Sequence, residues 1–272
     1  MHLSIKVHNQ LLDFSSPRVM GIINITPDSF YTSCGTDSEV YVSRVKKFLD
    51  EGADIIDIGA CSTRPGSTPI DAEEEWKRLA PAIQTIRSHF PDAILSVDTF
   101  RADIAEKAIQ LGVDIVNDVY GGEEDKRIWE VAAKYNVPYI LSFAQKIPTS
   151  MGEYDETISY MLNWFQSRLD LLHKMGVADV IIDPAFGFEK TEQQNYAILR
   201  QMHILSTLHT PILAGISRKS MLYKPLGITP ADSLYATIAA NTIALEQGAN
   251  ILRVHDVEAA KHTIAIYSLT NK

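Results

Sequence analysis

The chain has 272 residues, 46% of them hydrophobic and 22% charged, a balance that supports a buried core and excludes disorder as its governing state. A formal net charge of −9 repels nucleic acid, so an anionic ligand has to be held by a local basic cluster. The longest apolar stretches, such as 211–216, fall far short of the roughly 20 residues that span a bilayer, and the two cysteines, Cys34 and Cys61, are too few for a disulfide framework or a zinc site.

From the first residue, Met1 to Val7 alternates polar and apolar side chains instead of placing a basic start before an apolar run. No signal peptide is expected, and the two cysteines are expected to be free cytoplasmic thiols. Residues 1–16 are expected to form a hairpin that plugs the base of the fold. Eight short runs rich in Val and Ile then follow: Val19–Ile25, Ile55–Gly59, Ile94–Thr99, Ile115–Val119, Tyr139–Phe143, Val180–Pro184, Pro211–Ser217 and Ile251–His255. Segments of helical spacing alternate with them, near 38–51, 71–89, 101–111, 124–135, 154–175, 191–203, 230–246 and 256–268. Asp71 and Thr191 stand where N-caps are wanted, and Gly52, Gly112, Gly176 and Gly248 each follow a helix where a left-handed residue ends it. Eight strand–helix units in one chain predict an α/β fold, a single-domain (β/α)₈ TIM barrel over 1–272.

In such a barrel, polar residues at the C-terminal strand ends face the active-site mouth. The ends here carry Asn24, Asp57, Asp98, Asn117, Ser142, Asp183, Ser217 followed by Arg218 and Lys219, and Arg253 with His255. Groups of this kind are costly to desolvate alone, so a polar ligand is their natural partner. Asp98, Asn117 and Asp183 offer the acceptors and amide donors that suit a flat heterocycle with adjacent N–H groups. Arg64, Lys219, Arg253 and His255 offer positive charge for phosphate oxygens.

Read in order, the strand ends resemble one family. Met20-Gly21-Ile22-Ile23-Asn24-Ile25-Thr26-Pro27-Asp28-Ser29-Phe30 is followed by Asp57-Ile58-Gly59 and Ser62-Thr63-Arg64-Pro65-Gly66. Then come Ser96-Val97-Asp98-Thr99, Asn117-Asp118-Val119, Asp183-Pro184-Ala185-Phe186-Gly187-Phe188, Ser217-Arg218-Lys219-Ser220 and Arg253-Val254-His255-Asp256. The series resembles the dihydropteroate synthase family, which condenses a dihydropterin methyl diphosphate with 4-aminobenzoate and releases pyrophosphate.

The resemblance implies roles by position. Asp98, Asn117, Asp183, Lys219 and Arg253 match pterin-binding residues; Asn24, Thr63, Arg64, Arg253 and His255 match diphosphate contacts; Asn24 also matches a Mg²⁺ ligand. Phe30, Pro65, Phe188, Lys219 and Ser220 match the wall of the 4-aminobenzoate pocket. It also implies a homodimer, and the location is expected to be cytoplasmic.

Departures from the family pattern fall at Tyr31-Thr32-Ser33-Cys34, at Ala60-Cys61, at Ala185 where Gly is commoner, and at Leu141-Ser142-Phe143-Ala144. The last is expected to replace apolar pterin contacts with a small polar group and a ring. Two alternatives stay open. A catalytically silent pterin-binding barrel would account for the altered loops. A methyltetrahydrofolate-binding methyltransferase shares the barrel but has no need of the Ser-Thr-Arg-Pro-Gly loop or the Ser-Arg-Lys-Ser turn.

Overall fold

A computed structural model describes residues 3–8, 10–25, 37–60, 70–148 and 155–270. The N-terminal segment forms the expected hairpin, β1 (Ser4–Val7) against β2 (Gln10–Asp13), antiparallel with Val7 opposite Gln10. Eight parallel strands follow: β3 (Arg18–Asn24), β4 (Ile55–Gly59), β5 (Leu95–Asp98), β6 (Ile115–Asp118), β7 (Tyr139–Ser142), β8 (Val180–Asp183), β9 (Leu213–Ala214) and β10 (Ile251–Val254). They pair in the order β8-β7-β6-β5-β4-β3-β10-β9. An Ile182–Ile212 bridge and the bond from Ile182 N–H to Pro211 C=O at 2.9 Å join the two ends of that sheet, so the sheet is a (β/α)₈ barrel.

The barrel helices are α1 (Asp37–Asp50), α2 (Ala72–His89), α3 (Ala102–Gln110), α4 (Arg127–Tyr135), α5 (Asp155–Lys174), α6 (Glu192–Gln201), α8 (Leu234–Glu246) and α9 (Val257–Thr270), with a four-residue α7 (Ser220–Tyr223) inserted after β9. Their ends follow the sequence cues. Asp71 Oδ1 accepts from Glu74 N–H at 2.8 Å at the start of α2. Thr191 and Gln194 form a reciprocal capping box on α6. Gly52, Gly112, Gly176 and Gly248 all have φ between +91° and +95°, the left-handed conformation that a side chain would strain.

Two boundaries differ most from the sequence expectation. Helix α8 begins at Leu234 and not near 230, because the carbonyls of Pro230 and Ala231 accept from Arg218 Nη1 at 3.0 and 2.6 Å and so are held outside the helix. The seventh barrel strand shrinks from 211–217 to Leu213–Ala214; at its start Pro211 has no N–H for the ladder.

Side chains two apart on a strand share a face. Met20, Ile55, Ile115, Ile140, Ile181, Leu213 and Ile251 therefore form one inward layer at the N-terminal end of the barrel, and Ile5, Val7 and Phe14 of the hairpin segment pack on it. The outward residues Val19, Ile23, Ile56, Ile58, Val97, Val116, Leu141 and Ile182 meet the helices in a second, larger core. The hairpin closes the bottom, and the site is left to the opposite end. No helix among the described residues is long and apolar enough to cross a membrane.

Candidate active site

One step above the apolar layer, the inward positions become polar. Asp57 on β4, Ser96 on β5, Asn117 on β6, Ser142 on β7 and Asp183 on β8 are all buried, and Arg253 on β10 completes the ring. In register, Asp57 lies beside Ser96, Asp98 beside Asn117, and Ser142 beside Asp183. Strand alternation alone thus turns an apolar plug into a polar floor within two residues.

Arg253 is the hub. Its Nε donates to Asp57 Oδ2 at 2.7 Å, and its Nη2 lies 2.6 Å from both Asp57 Oδ2 and Asp98 Oδ2. Asn117 Nδ2 donates to the same Asp57 oxygen at 3.1 Å. Asp57 Oδ1 has no partner among the described residues. Burial lifts the Asp98 carboxyl from its ordinary 3.8 to about 7; the Arg253 cation opposes the shift and the neighbouring Asp57 adds to it. Burial also pushes the Arg253 guanidinium toward its neutral form, but the two carboxylates outweigh it and hold the charge.

Across the mouth, Lys219 Nζ donates to Phe186 C=O at 2.5 Å and stands 4.7 Å from the centre of the Phe188 ring. Burial brings this amine down to about 8, against the pull of Asp183. Asp183 is in turn raised by burial and lowered by Lys219, and its Oδ1 accepts from Ala185 N–H at 2.8 Å. Gly215 separates the two charges: a Cβ there would stand 3.8 Å from Lys219 Nζ and 3.9 Å from Asp183 Oδ2. Lys219 is aimed by its neighbour. Arg218 has φ +56° and grips Asp256 with two 2.8 Å bonds, so the strained turn is held by a paired side chain. Ser217 Oγ lies 3.1 Å from His255 Nδ1, which brings His255 to the same rim. Asn24, half-buried, ends β3 beside Gly59.

Of the residues singled out in the sequence, the barrel brings Asn24, Asp98, Asn117, Asp183, Phe188, Lys219, Ser220, Arg253 and His255 to its C-terminal end. Phe30, Thr63, Arg64 and Pro65 lie outside the described residues, as do Cys34 and Cys61. One expectation is corrected. The Phe143 ring does not line the mouth; it packs outward against Tyr160, Trp164 and Phe165 with centroids 5.1–6.1 Å away, because it alternates with the inward Ser142. Ala185 takes φ +51°, the conformation that explains why glycine suits this position.

Sequence reasoning missed one role and one residue. Asp57 was visible as a carboxylate inside an Ile-rich strand, but its role as counter-ion to Arg253 needs the closed barrel. Lys190 was passed over altogether. Its Nζ donates to the carbonyls of Phe143 at 2.7 Å, Ala185 at 3.0 Å and Phe188 at 2.9 Å, tying the end of β7 to the loop after β8. Burial lowers its amine to about 7, with Asp183 opposing.

Fold and site together define a (β/α)₈-barrel protein whose mouth sets a polar, hydrogen-bonding floor beside a rim of Lys and His. A family profile described as pterin binding enzyme matches residues 20–255. The dihydropteroate synthase of Clostridium beijerinckii is 39% identical over 253 residues, covering 90% of this chain and 92% of that protein. The dihydropteroate synthase of Synechocystis is 40% identical over 248 residues, covering 89% and 86%. Among solved structures, the Xanthomonas albilineans dihydropteroate synthase with 4-aminobenzoic acid matches with a TM-score of 0.90 at 31% identity, covering 100% of this chain and 99% of that one. The Clostridium difficile enzyme in the presence of pteroic acid matches with 0.85 at 37%, covering 93% and 97%. The chain belongs to the pterin-binding enzyme family.

Proposed function

We infer that this chain is a dihydropteroate synthase, a transferase that joins the exocyclic methylene of a dihydropterin diphosphate to the amine of 4-aminobenzoate. The observation that carries the reading is the polar floor itself: Asp98, Asn117 and Asp183 converge inside a barrel whose opposite end is sealed with hydrocarbon. The relatives' names and the 4-aminobenzoic acid and pteroic acid of the matched structures support the same substrates.

The chemistry fits these residue types. The C–O bond to the diphosphate breaks with its electron pair, leaving a cation spread over the electron-rich dihydropterin ring. The arylamine nitrogen, already neutral near pH 7, forms the new C–N bond and then loses a proton to solvent. Asp183 and Asn117 bind the ring edge, Asp98 and Asp57 supply negative charge beneath it, and Lys219 approaches from the other side. Arg253 Nη1 has no partner among the described residues, so the hub keeps a donor for phosphate while Nε and Nη2 stay with the carboxylates. His255, Thr63 and Arg64 are assigned to the same diphosphate, and Phe30, Pro65, Phe188, Lys219 and Ser220 to 4-aminobenzoate, on family resemblance. No strong general base is required, because the arylamine is already neutral.

A Mg²⁺ ion belongs to this reading. The described residues include no cluster of three or more His, Cys, Asp or Glu that would hold a metal alone. A single carboxamide at Asn24 fits an ion that arrives on the diphosphate, since Mg²⁺ usually keeps waters and takes one or two protein ligands plus phosphate oxygens. Asn24 would hold such an ion, which would supply charge neutralisation to the leaving group.

A homodimer and a cytoplasmic location complete the reading. Helices α8 and α9 pack together, and their outer sides still expose Tyr235, Ile243, Ile266 and Leu269, an apolar face suited to a second copy. Incubating the protein with the pterin diphosphate, Mg²⁺ and 4-aminobenzoate tests the function. Mass spectrometry should detect 7,8-dihydropteroate; pterin binding without any product would favour the silent-barrel alternative.

A further inference from the structure

The floor of the mouth holds a hydroxyl that the function above leaves unused. Ser142 is 1% exposed, and its Oγ has no hydrogen-bond partner among the described residues. Its direction is fixed by alternation: Ile140, two residues earlier, belongs to the inward layer at the barrel base, so Ser142 also points inward. It stands beside Asp183 in register on the neighbouring strand. A buried hydroxyl without a partner is costly, and such groups in folded proteins are normally satisfied by something.

The count of acceptors on the Asp183 side says what that something is. An aminopyrimidine edge presents three donors there, the ring N–H and two N–H bonds of the exocyclic amine. Asp183 has two oxygens, and Oδ1 already accepts from Ala185 N–H. Asn117 Nδ2 donates to Asp57, which leaves Asn117 only its Oδ1 as an acceptor for that edge, one short of the three donors when joined with Asp183 Oδ2. We propose that Ser142 is a specificity-determining residue that accepts a hydrogen bond from the pterin's exocyclic amine, sharing that edge with Asp183. The proposal rests on the pterin-binding reading above and deepens it. The same position carries an apolar residue in the family pattern, so this amine contact is a property of this chain.

The test is calorimetric titration of wild type and Ser142→Ala with 6-hydroxymethylpterin and with its counterpart bearing a methyl in place of the 2-amino group. Removing an unpaired buried hydroxyl leaves the fold intact, so the variant should melt no lower than wild type. Wild type should bind the amino compound more tightly than the methyl one, and Ser142→Ala should lose about three- to tenfold of that preference, the range of a neutral hydrogen bond. Ser142→Thr, which keeps the hydroxyl, should restore it. If wild type binds the pterin and the preference is the same in Ser142→Ala, the proposal is overturned while the function stands. If wild type binds neither compound, the pterin-binding reading itself fails and takes the proposal with it.

Discussion

Arg253 and Asp57 lie 196 positions apart in the chain, yet Arg253 Nε donates to Asp57 Oδ2 at 2.7 Å inside the barrel. The pair spans β4 and β10, the strands on either side of β3, and it fixes the guanidinium that also reaches Asp98. Removing one partner of a buried ion pair strands the other charge. Asp57→Ala should therefore destabilise the protein by about 3–5 kcal/mol in urea unfolding, with Asp57→Asn falling between it and wild type. An unchanged unfolding midpoint would show that Asp98 alone suffices for Arg253.

Asp98 predicts a pH dependence. Its carboxyl titrates near 7 in the folded protein against an ordinary 3.8, so the folded state holds this proton more tightly than the unfolded chain does. The stability it contributes is complete below about pH 4 and is lost as pH rises through 7. Asp118, raised to about 6 by burial, and Asp183 act in the same direction, so the difference between proteins is the informative quantity. Stability should fall less between pH 4 and 7 in Asp98→Asn than in wild type; parallel curves would contradict the assignment.

Asp183→Asn should weaken pterin binding tenfold to a hundredfold, since a charge-assisted hydrogen bond worth about 1.5–3 kcal/mol becomes a neutral one and one acceptor is lost. Titration calorimetry measures this directly, and full-strength binding would remove Asp183 from the pterin edge.

Arg218 tests how Lys219 is held. Its left-handed backbone and two bonds to Asp256 place the next residue over the Phe188 ring. Arg218→Ala should cost about 1.5–3 kcal/mol of stability and raise the KM for 4-aminobenzoate. A loss of stability with the KM unmoved would make the turn a scaffold element only.

At the other end of the barrel, Phe14 is 7% exposed and seals the inward apolar layer together with Ile5 and Val7. Phe14→Ala should destabilise by about 3–5 kcal/mol, the usual cost of emptying a buried aromatic site. The KM values for both substrates should stay at wild-type levels in the folded fraction, because the polar floor is separated from Phe14 by a full layer of side chains.

The sequence made the barrel legible because its signals are local. Val- and Ile-rich runs, Asp71 and Thr191 as caps, and four glycines with φ near +90° all act within a few residues, and each appears where the pattern placed it. The strand-end roster was legible for the same reason. What was hidden depends on direction and on closure. Phe143 and Ser142 are neighbours in sequence but face opposite sides of the barrel wall, so the ring joined the helical core while the hydroxyl joined the floor. Lys190 carried no periodic signal, since its three carbonyl partners come from two separate strand ends. The counter-ion role of Asp57 exists only once β10 returns to β3.

The most direct measurement is steady-state pyrophosphate release by the purified protein with the dihydropterin diphosphate and Mg²⁺, in the presence and absence of 4-aminobenzoate. Release that requires 4-aminobenzoate, saturates with it and matches the dihydropteroate formed mole for mole is the predicted result. Absence of release, or release at the same rate without 4-aminobenzoate, would contradict the assignment of this mouth as a site of amine transfer.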